Sequence, residues 1–133
     1  RYTLLDQGSL AQLFPLCEQR GISLVIGGPY NSGILASGAV EGATYNYRPA
    51  TPKTLERVRR IEAVCAAYGV PLQAAALQFP MRHPQVTSVI PGARSIAELQ
   101  QSVRLSSIPI PVDFWRELKA QQLIDERAPV GPA

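Results

Sequence analysis

From Thr87 to Ile90 the chain is an alternating run with β-branched residues, which breaks at Pro91-Gly92 and reopens from Ser95 as a helical pattern. A strand, a tight turn and a helix start within so few residues constrain the fold more than any other stretch. Ser95 and Glu98 have the spacing of a capping box and mark where the helix begins. Backbone N–H groups left free at such a start, with the positive end of the helix dipole, favour an anion. The same residues would also serve an ordinary capped βα turn, so the reading depends on what flanks them.

The flanks repeat the alternation. Residues 1–7 read as a strand, and Leu10, Leu13, Phe14 and Cys17 then recur at helical spacing over residues 9–19, with Gly21 as the stop. Residues 22–26 read as a short buried strand bounded by Gly27-Gly28-Pro29. The segment 27–50 holds five of the ten glycines and three of the five tyrosines, too much for a plain connector, and segments of that length in compact domains are usually functional. Thr51 and Pro52 open a helix that Gly69 ends after Tyr68, and Pro71 opens an Ala-rich helix through Leu77 and Phe79 that Arg82-His83-Pro84 closes. After the helix at 95–105, residues 108–111 form an extended joint. Asp113 caps a last amphipathic helix that buries Phe114, Trp115, Leu118 and Leu123, and the Pro-rich tail 128–133 is expected to be loose. Strands alternating with helices in this order predict an α/β fold, a parallel sheet with helices outside. In such folds chemistry sits at the carboxyl ends of the strands, here Asp6 to Gly8, the loop after Ile26 and the Pro91 turn.

Composition narrows the function classes. At 133 residues with 46% hydrophobic and 17% charged side chains, the chain is a globular domain with a core. It has no apolar run near the roughly 18 residues of a membrane span and no signal-peptide pattern. The net charge of +3 comes mostly from scattered arginines. The one cluster, Arg57, Arg59 and Arg60, is flanked by Glu56 and Glu62 and reads as a solvated helix face, so no nucleic-acid partner is expected. Cys17 and Cys65 lie apart inside helical patterns, as suits reduced core thiols in a cytoplasmic protein. His83, the lone histidine, reads as a surface residue at a helix end, and Asp6 as a strand-end carboxylate in a capping role. No metal-ligand pattern is present.

The segments Tyr2-Thr3-Leu4-Leu5-Asp6-Gln7, Gly27-Gly28-Pro29-Tyr30-Asn31-Ser32-Gly33-Ile34-Leu35 and Ile90-Pro91-Gly92-Ala93-Arg94-Ser95 resemble the sixth, seventh and eighth strand ends of the aldo-keto reductase (β/α)8 TIM barrel. With Tyr45-Asn46-Tyr47, they are most similar to the branch containing L-fucose dehydrogenase and D-threo-aldose 1-dehydrogenase. The resemblance covers essentially the whole chain. A full barrel needs about 250 residues, so it implies a C-terminal half, residues 1–127, followed by the tail.

The resemblance also implies roles. Gly28, Tyr30 and Ser32 fall in the loop that crosses a cofactor pyrophosphate, where glycine permits close backbone approach and a hydroxyl can donate to a phosphate oxygen. Gly92, Arg94, Glu98, Gln101 and Ser102 match positions around the adenosine end, and Tyr2 falls near the nicotinamide pocket. The sequence departs from the family where Gly27 replaces an aromatic that stacks on the nicotinamide ring, and where Gln101-Ser102 replaces a Glu-Asn pair. The family's catalytic Asp, Tyr, Lys and His belong to the other half, so this chain holds no catalytic residue. The implied function is the cofactor-binding half of an NAD- or NADP-dependent dehydrogenase that oxidises an aldose such as L-fucose to its lactone. NAD is favoured because Glu98 would repel a 2′-phosphate. A non-catalytic nucleotide-sensing or interaction subunit on the same barrel is the alternative. The implied partners are the N-terminal half of the barrel, the dinucleotide, a small sugar and, through uncovered apolar residues, a second copy of the chain. Leu4, Leu24, Ile26 and Val89 are expected to present that apolar surface.

Overall fold

The computed structural model describes residues 1–131. In chain order its elements are α1 (Leu13–Gln19), β1 (Leu24–Gly27), α2 (Ile34–Ser37), β2 (Thr44–Tyr45), β3 (Arg48–Pro49), α3 (Pro52–Tyr68), α4 (Leu72–Gln78), β4 (Val86–Ile90), α5 (Ile96–Ser106) and α6 (Val112–Ala120). β1 and β4 are parallel neighbours, with Ile26 beside Val89 and Gly27 beside Ile90. β2 and β3 form a short antiparallel hairpin inside the long loop. Among the described residues no helix is long and apolar enough to cross a membrane.

The helices form where local chemistry directs. Thr51 accepts the N–H of Thr54 and Pro52 takes the first helical position, where its missing donor costs nothing; Gly69 ends α3 in the left-handed conformation (φ 64°). Its apolar stripe, Val58, Ile61, Val64 and Cys65, is buried. α4 stops at Gln78 because Pro80, two residues on, supplies no N–H, and a 3-10 turn follows. With Ala74, Ala75 and Ala76 wholly buried, α4 packs against α2, α3 and α5 at once. Tyr2, Phe79, Phe114 and Trp115, all fully buried, form the aromatic centre of the core, with Tyr2 and Phe79 centroids 4.9 Å apart.

Several expectations are corrected. Residues 1–7 form no strand: the Thr3 hydroxyl accepts the N–H groups of Leu5 and Asp6, and Thr3 and Asp6 exchange backbone hydrogen bonds, closing the chain on itself. The first helical pattern splits into a 3-10 turn at Gly8–Ala11 and α1, leaving Leu13 exposed. Asp113 does not cap α6; Pro111 holds that position, and Asp113 in the first turn accepts from Arg116. Arg57 is no solvated charge, since its guanidinium donates to the carbonyls of Leu4, Leu5 and Leu123 and ties both ends of the chain to α3. In the 128–133 segment Ala128 is fully buried and the Arg82 guanidinium donates to the carbonyls of Val130 and Gly131; residues 132 and 133 lie outside the described part. Asp6 accepts the N–H of Gly8, but the cap position of the 3-10 turn is Gln7, with no side-chain cap bond.

The sheet face expected to be bare is also the other one. Leu4 and Ile26 are buried, and Leu24 and Val89 pack against the core. Because side chains alternate along a strand, Val25 and Ile90 point the opposite way and are exposed, at 55% and 60%.

Candidate functional site

The pairing of Gly27 with Ile90 brings the carboxyl ends of β1 and β4 side by side, so the loop after β1 and the turn after β4 leave the sheet together. The loop is held in an unusual backbone path. Gly28 (φ 64°), Asn31 (φ 49°), Ser32 (φ 63°) and Gly33 (φ 111°) all lie in the left-handed region, which costs free energy for a residue with a side chain. Ser32 is where the path is fastened. Its carbonyl accepts the Thr44 hydroxyl at 2.7 Å, and its hydroxyl oxygen accepts the Tyr47 N–H at 3.1 Å. The Ser32 hydroxyl proton thus stays available to donate.

The hairpin fastened to Ser32 turns at Asn46 and Tyr47, both left-handed (φ 52° and 64°), the backbone signature of a two-residue type I′ turn. Tyr47 stands 86% exposed at its tip.

Across from the loop, Ser95 caps α5 by accepting the Glu98 N–H. The reciprocal bond expected of a capping box is shifted by one residue: Glu98 accepts the backbone N–H of Arg94 at 2.7 Å and the Arg94 guanidinium at 2.9 Å. These contacts hold the Glu98 carboxyl below the usual carboxylate range and raise Arg94. Arg94 meets the loop across a groove of about 320 Å³, opposite Gly33, Ser37, Gly42 and Thr44. A Cβ built at Gly28 or at Gly92 would meet nothing within 4 Å, so the backbone at both turns is open to a ligand.

Not every expected site residue joins this groove. Tyr2 is wholly buried between Phe14 and Phe79, and burial pushes its phenol up; it offers a ligand no surface. Ser102 is buried on the inner side of α5. Gln101 donates to Gln73, which in turn donates to the carbonyl of Ala36, so Gln101 braces the loop through α4. Tyr30 is half-buried against the core. His83 is half-buried rather than a surface residue, its ring 4.1 Å from that of Phe14. Both cysteines are free and buried, with Cys65 pushed up to about 12 by burial and by Glu62. Among the described residues no cluster of His, Cys, Asp and Glu could hold a metal.

Four further residues stand out in and beside the loop. Thr44 ties the hairpin to Ser32; Asn31, 2% exposed, has neither side-chain polar atom partnered; the Oδ1 of Asn46 is buried without a partner; and Arg48 lines a second groove beside it. The readable signal was Asn46 itself, since asparagine tolerates the left-handed turn position directly after a strand-forming tyrosine.

A sequence profile described as the Aldo/keto reductase family matches residues 1–122. The chain is 42% identical over 93% of its length to a pyridoxal 4-dehydrogenase of Microbacterium luteolum, of which it covers 36%. It is 36% identical over 93% of its length to a D-threo-aldose 1-dehydrogenase of a Pseudomonas species, of which it covers 38%. The chain therefore spans little more than a third of these curated relatives. Among solved structures, the holo form of an aldo-keto reductase from Bacillus halodurans superposes with a TM-score of 0.71 at 25% identity, over 94% of this chain and 41% of that one. What the chain folds into is thus part of a (β/α)8 barrel.

Proposed function

Because the chain belongs to the aldo/keto reductase family, we propose that it is the cofactor-binding half of a nicotinamide-dependent dehydrogenase acting on a cyclic hemiacetal, an aldose of the L-fucose kind, to give the lactone. The observation that carries this is the pair of open backbone positions at adjacent strand ends, Gly28 and Gly92, with Arg94 beyond the second lining a groove against Gly33, Ser37, Gly42 and Thr44 of the loop beyond the first. The dinucleotide, when bound, supplies the redox chemistry by accepting a hydride. Gly28 and Gly92 admit its backbone-hugging pyrophosphate, the Ser32 hydroxyl donates to a phosphate oxygen, and Arg94 reaches the adenosine end. Oxidation removes a hydride from the hemiacetal carbon and a proton from its hydroxyl; the group that takes the proton lies outside this chain. Pyridoxal and the aldoses share this chemistry, since each has an aldehyde able to close on an internal hydroxyl.

NAD is the favoured cofactor, because the Glu98 carboxylate opposes a 2′-phosphate and suits a free 2′-hydroxyl. The N-terminal half of the barrel covers the open face of the sheet and brings the proton-transfer residues, in a cytoplasmic protein. Gly92→Val tests the site. Its Cβ has open space, so stability should change by no more than about 0.5 kcal/mol, while NAD affinity in the complete barrel should fall about tenfold or more as the backbone approach is blocked. A wild-type dissociation constant for that variant, by titration, would remove the turn from the site. Cofactor binding without any aldose or pyridoxal turnover would instead favour the nucleotide-sensing reading.

A further inference from the structure

The hairpin has a groove of its own. About 460 Å³ in volume, it is lined by Tyr45, Asn46, Arg48, Pro49 and Thr51, and its size lies in the about 300–1,000 Å³ range of small-molecule sites. Nothing in the dinucleotide assignment uses it. Two of its side chains lack the partners their chemistry calls for. The Asn46 Oδ1 is buried with no hydrogen bond, an unfavourable state for a polar atom that a turn of the amide toward a ligand hydroxyl in the groove would relieve. Arg48 is exposed, and among the described residues no carboxylate lies within ion-pairing distance of it. A hydroxyl both donates and accepts, so it satisfies Asn46 whichever way the amide is turned, and Arg48 offers a fork of donors to neighbouring oxygens.

We propose that this groove reads the substrate's ring hydroxyls, with Asn46 bonded to one hydroxyl and Arg48 donating to adjacent oxygens, on a wall formed by Tyr45. The proposal rests on the dehydrogenase reading above and assigns that reading's substrate class to named residues: a neutral, polyhydroxylated cyclic hemiacetal rather than an aldehyde without hydroxyl groups. The position supports it. Thr44 and Tyr47 bind the hairpin to Ser32, so the groove is fastened to the loop assigned above to the dinucleotide. The left-handed backbone at Asn46 and Tyr47 persists because those two bonds hold it, a strained turn of the kind found at ligand clamps.

Asn46→Gly isolates the side chain, since glycine keeps the left-handed turn and removes only the amide. In the complete barrel with saturating NAD, Asn46→Gly and Arg48→Gln should each raise KM for L-fucose about tenfold, the loss expected for one hydrogen bond to ligand, with kcat, NAD affinity and Tm near wild type. Arg48→Lys should recover part of the loss. As a readout without turnover, L-fucose added to the protein with NADH should raise Tm in the wild type, and both variants should need about tenfold more sugar for the same shift. If the wild type turns over L-fucose and both variants keep KM within about twofold, the groove assignment alone is overturned. If the wild type neither oxidises L-fucose or pyridoxal nor responds to them in Tm, the dehydrogenase reading falls and takes the assignment with it.

Discussion

His83 illustrates how a single residue's surroundings set its chemistry. Its ring lies 4.1 Å from Phe14 and edge-on to Tyr2 at 5.8 Å, and its Nδ1 accepts the Gln85 N–H at 3.2 Å, which leaves the ring proton on Nε2. Burial lowers its pKa below the ordinary 6.5, with Glu18 pulling the other way. The folded state therefore binds this proton less readily than the unfolded chain. Stability should be fully present above about pH 6.5 and fall as the pH drops below that value, until the folded-state imidazole itself titrates. Denaturant midpoints measured from pH 7.5 to 5 should show the decline in the wild type. His83→Gln, which retains an acceptor for Gln85 and carries no charge, should lose that component; an unchanged slope would assign it to other groups.

At the scale of an element, the start of α5 combines a cap and an ion pair in one residue. Glu98 gives its N–H to Ser95 and its carboxylate to the backbone and guanidinium of Arg94. The Arg94 side chain is 91% exposed, so this pair adds little to stability and is screened by salt. In the proposed site its effect would be on ligand choice, because a guanidinium engaged by Glu98 is drawn away from a 2′-phosphate. Glu98→Gln should release Arg94 and improve the affinity for NADP relative to NAD by about tenfold, roughly one charge-assisted contact. Parallel titrations with the two cofactors check this, and an unchanged ratio would show that Glu98 does not discriminate between them.

At the scale of the molecule, the open face decides behaviour. Val25 and Ile90 on the sheet, with Ile96, Leu99 and Val103 along α5, stand 53–78% exposed, and the parallel pair β1–β4 is a sheet of only two strands. Unpaired edges and apolar patches of this kind drive association. The isolated chain should self-associate, and Val25→Asp should reduce the associated fraction in sedimentation or light scattering. In the complete barrel the same substitution should destabilise by about 3 kcal/mol or more, because the charge would then be buried without a partner. A monomeric isolated wild-type chain would mean that this face needs no cover. Mixing the chain with its separately produced N-terminal half should restore cofactor-dependent turnover that neither half shows alone.

Local chemistry was legible without coordinates. The Thr51 cap, Pro52 and Gly69 of α3, the Ser95 cap of α5 and the left-handed Gly28 after β1 need only a few neighbouring residues, and each forms as the sequence indicates, whereas Pro91-Gly92 passes into α5 as irregular backbone without a hydrogen-bonded turn. The family, and with it the barrel, followed from three short motifs whose residues resemble the family's. Tertiary structure decided the rest. Residues 1–7 had strand composition, but Thr3 satisfied their amides locally. Which face of β1 and β4 is bare depends on which side the helices pack, and a period of two reads the same from either side. That Gln101 donates to Gln73, 28 residues away, is visible only in the fold. Asn46 and Arg48 come beside the loop only when the hairpin folds back onto Ser32, a contact fifteen residues apart in the chain that no local pattern encodes.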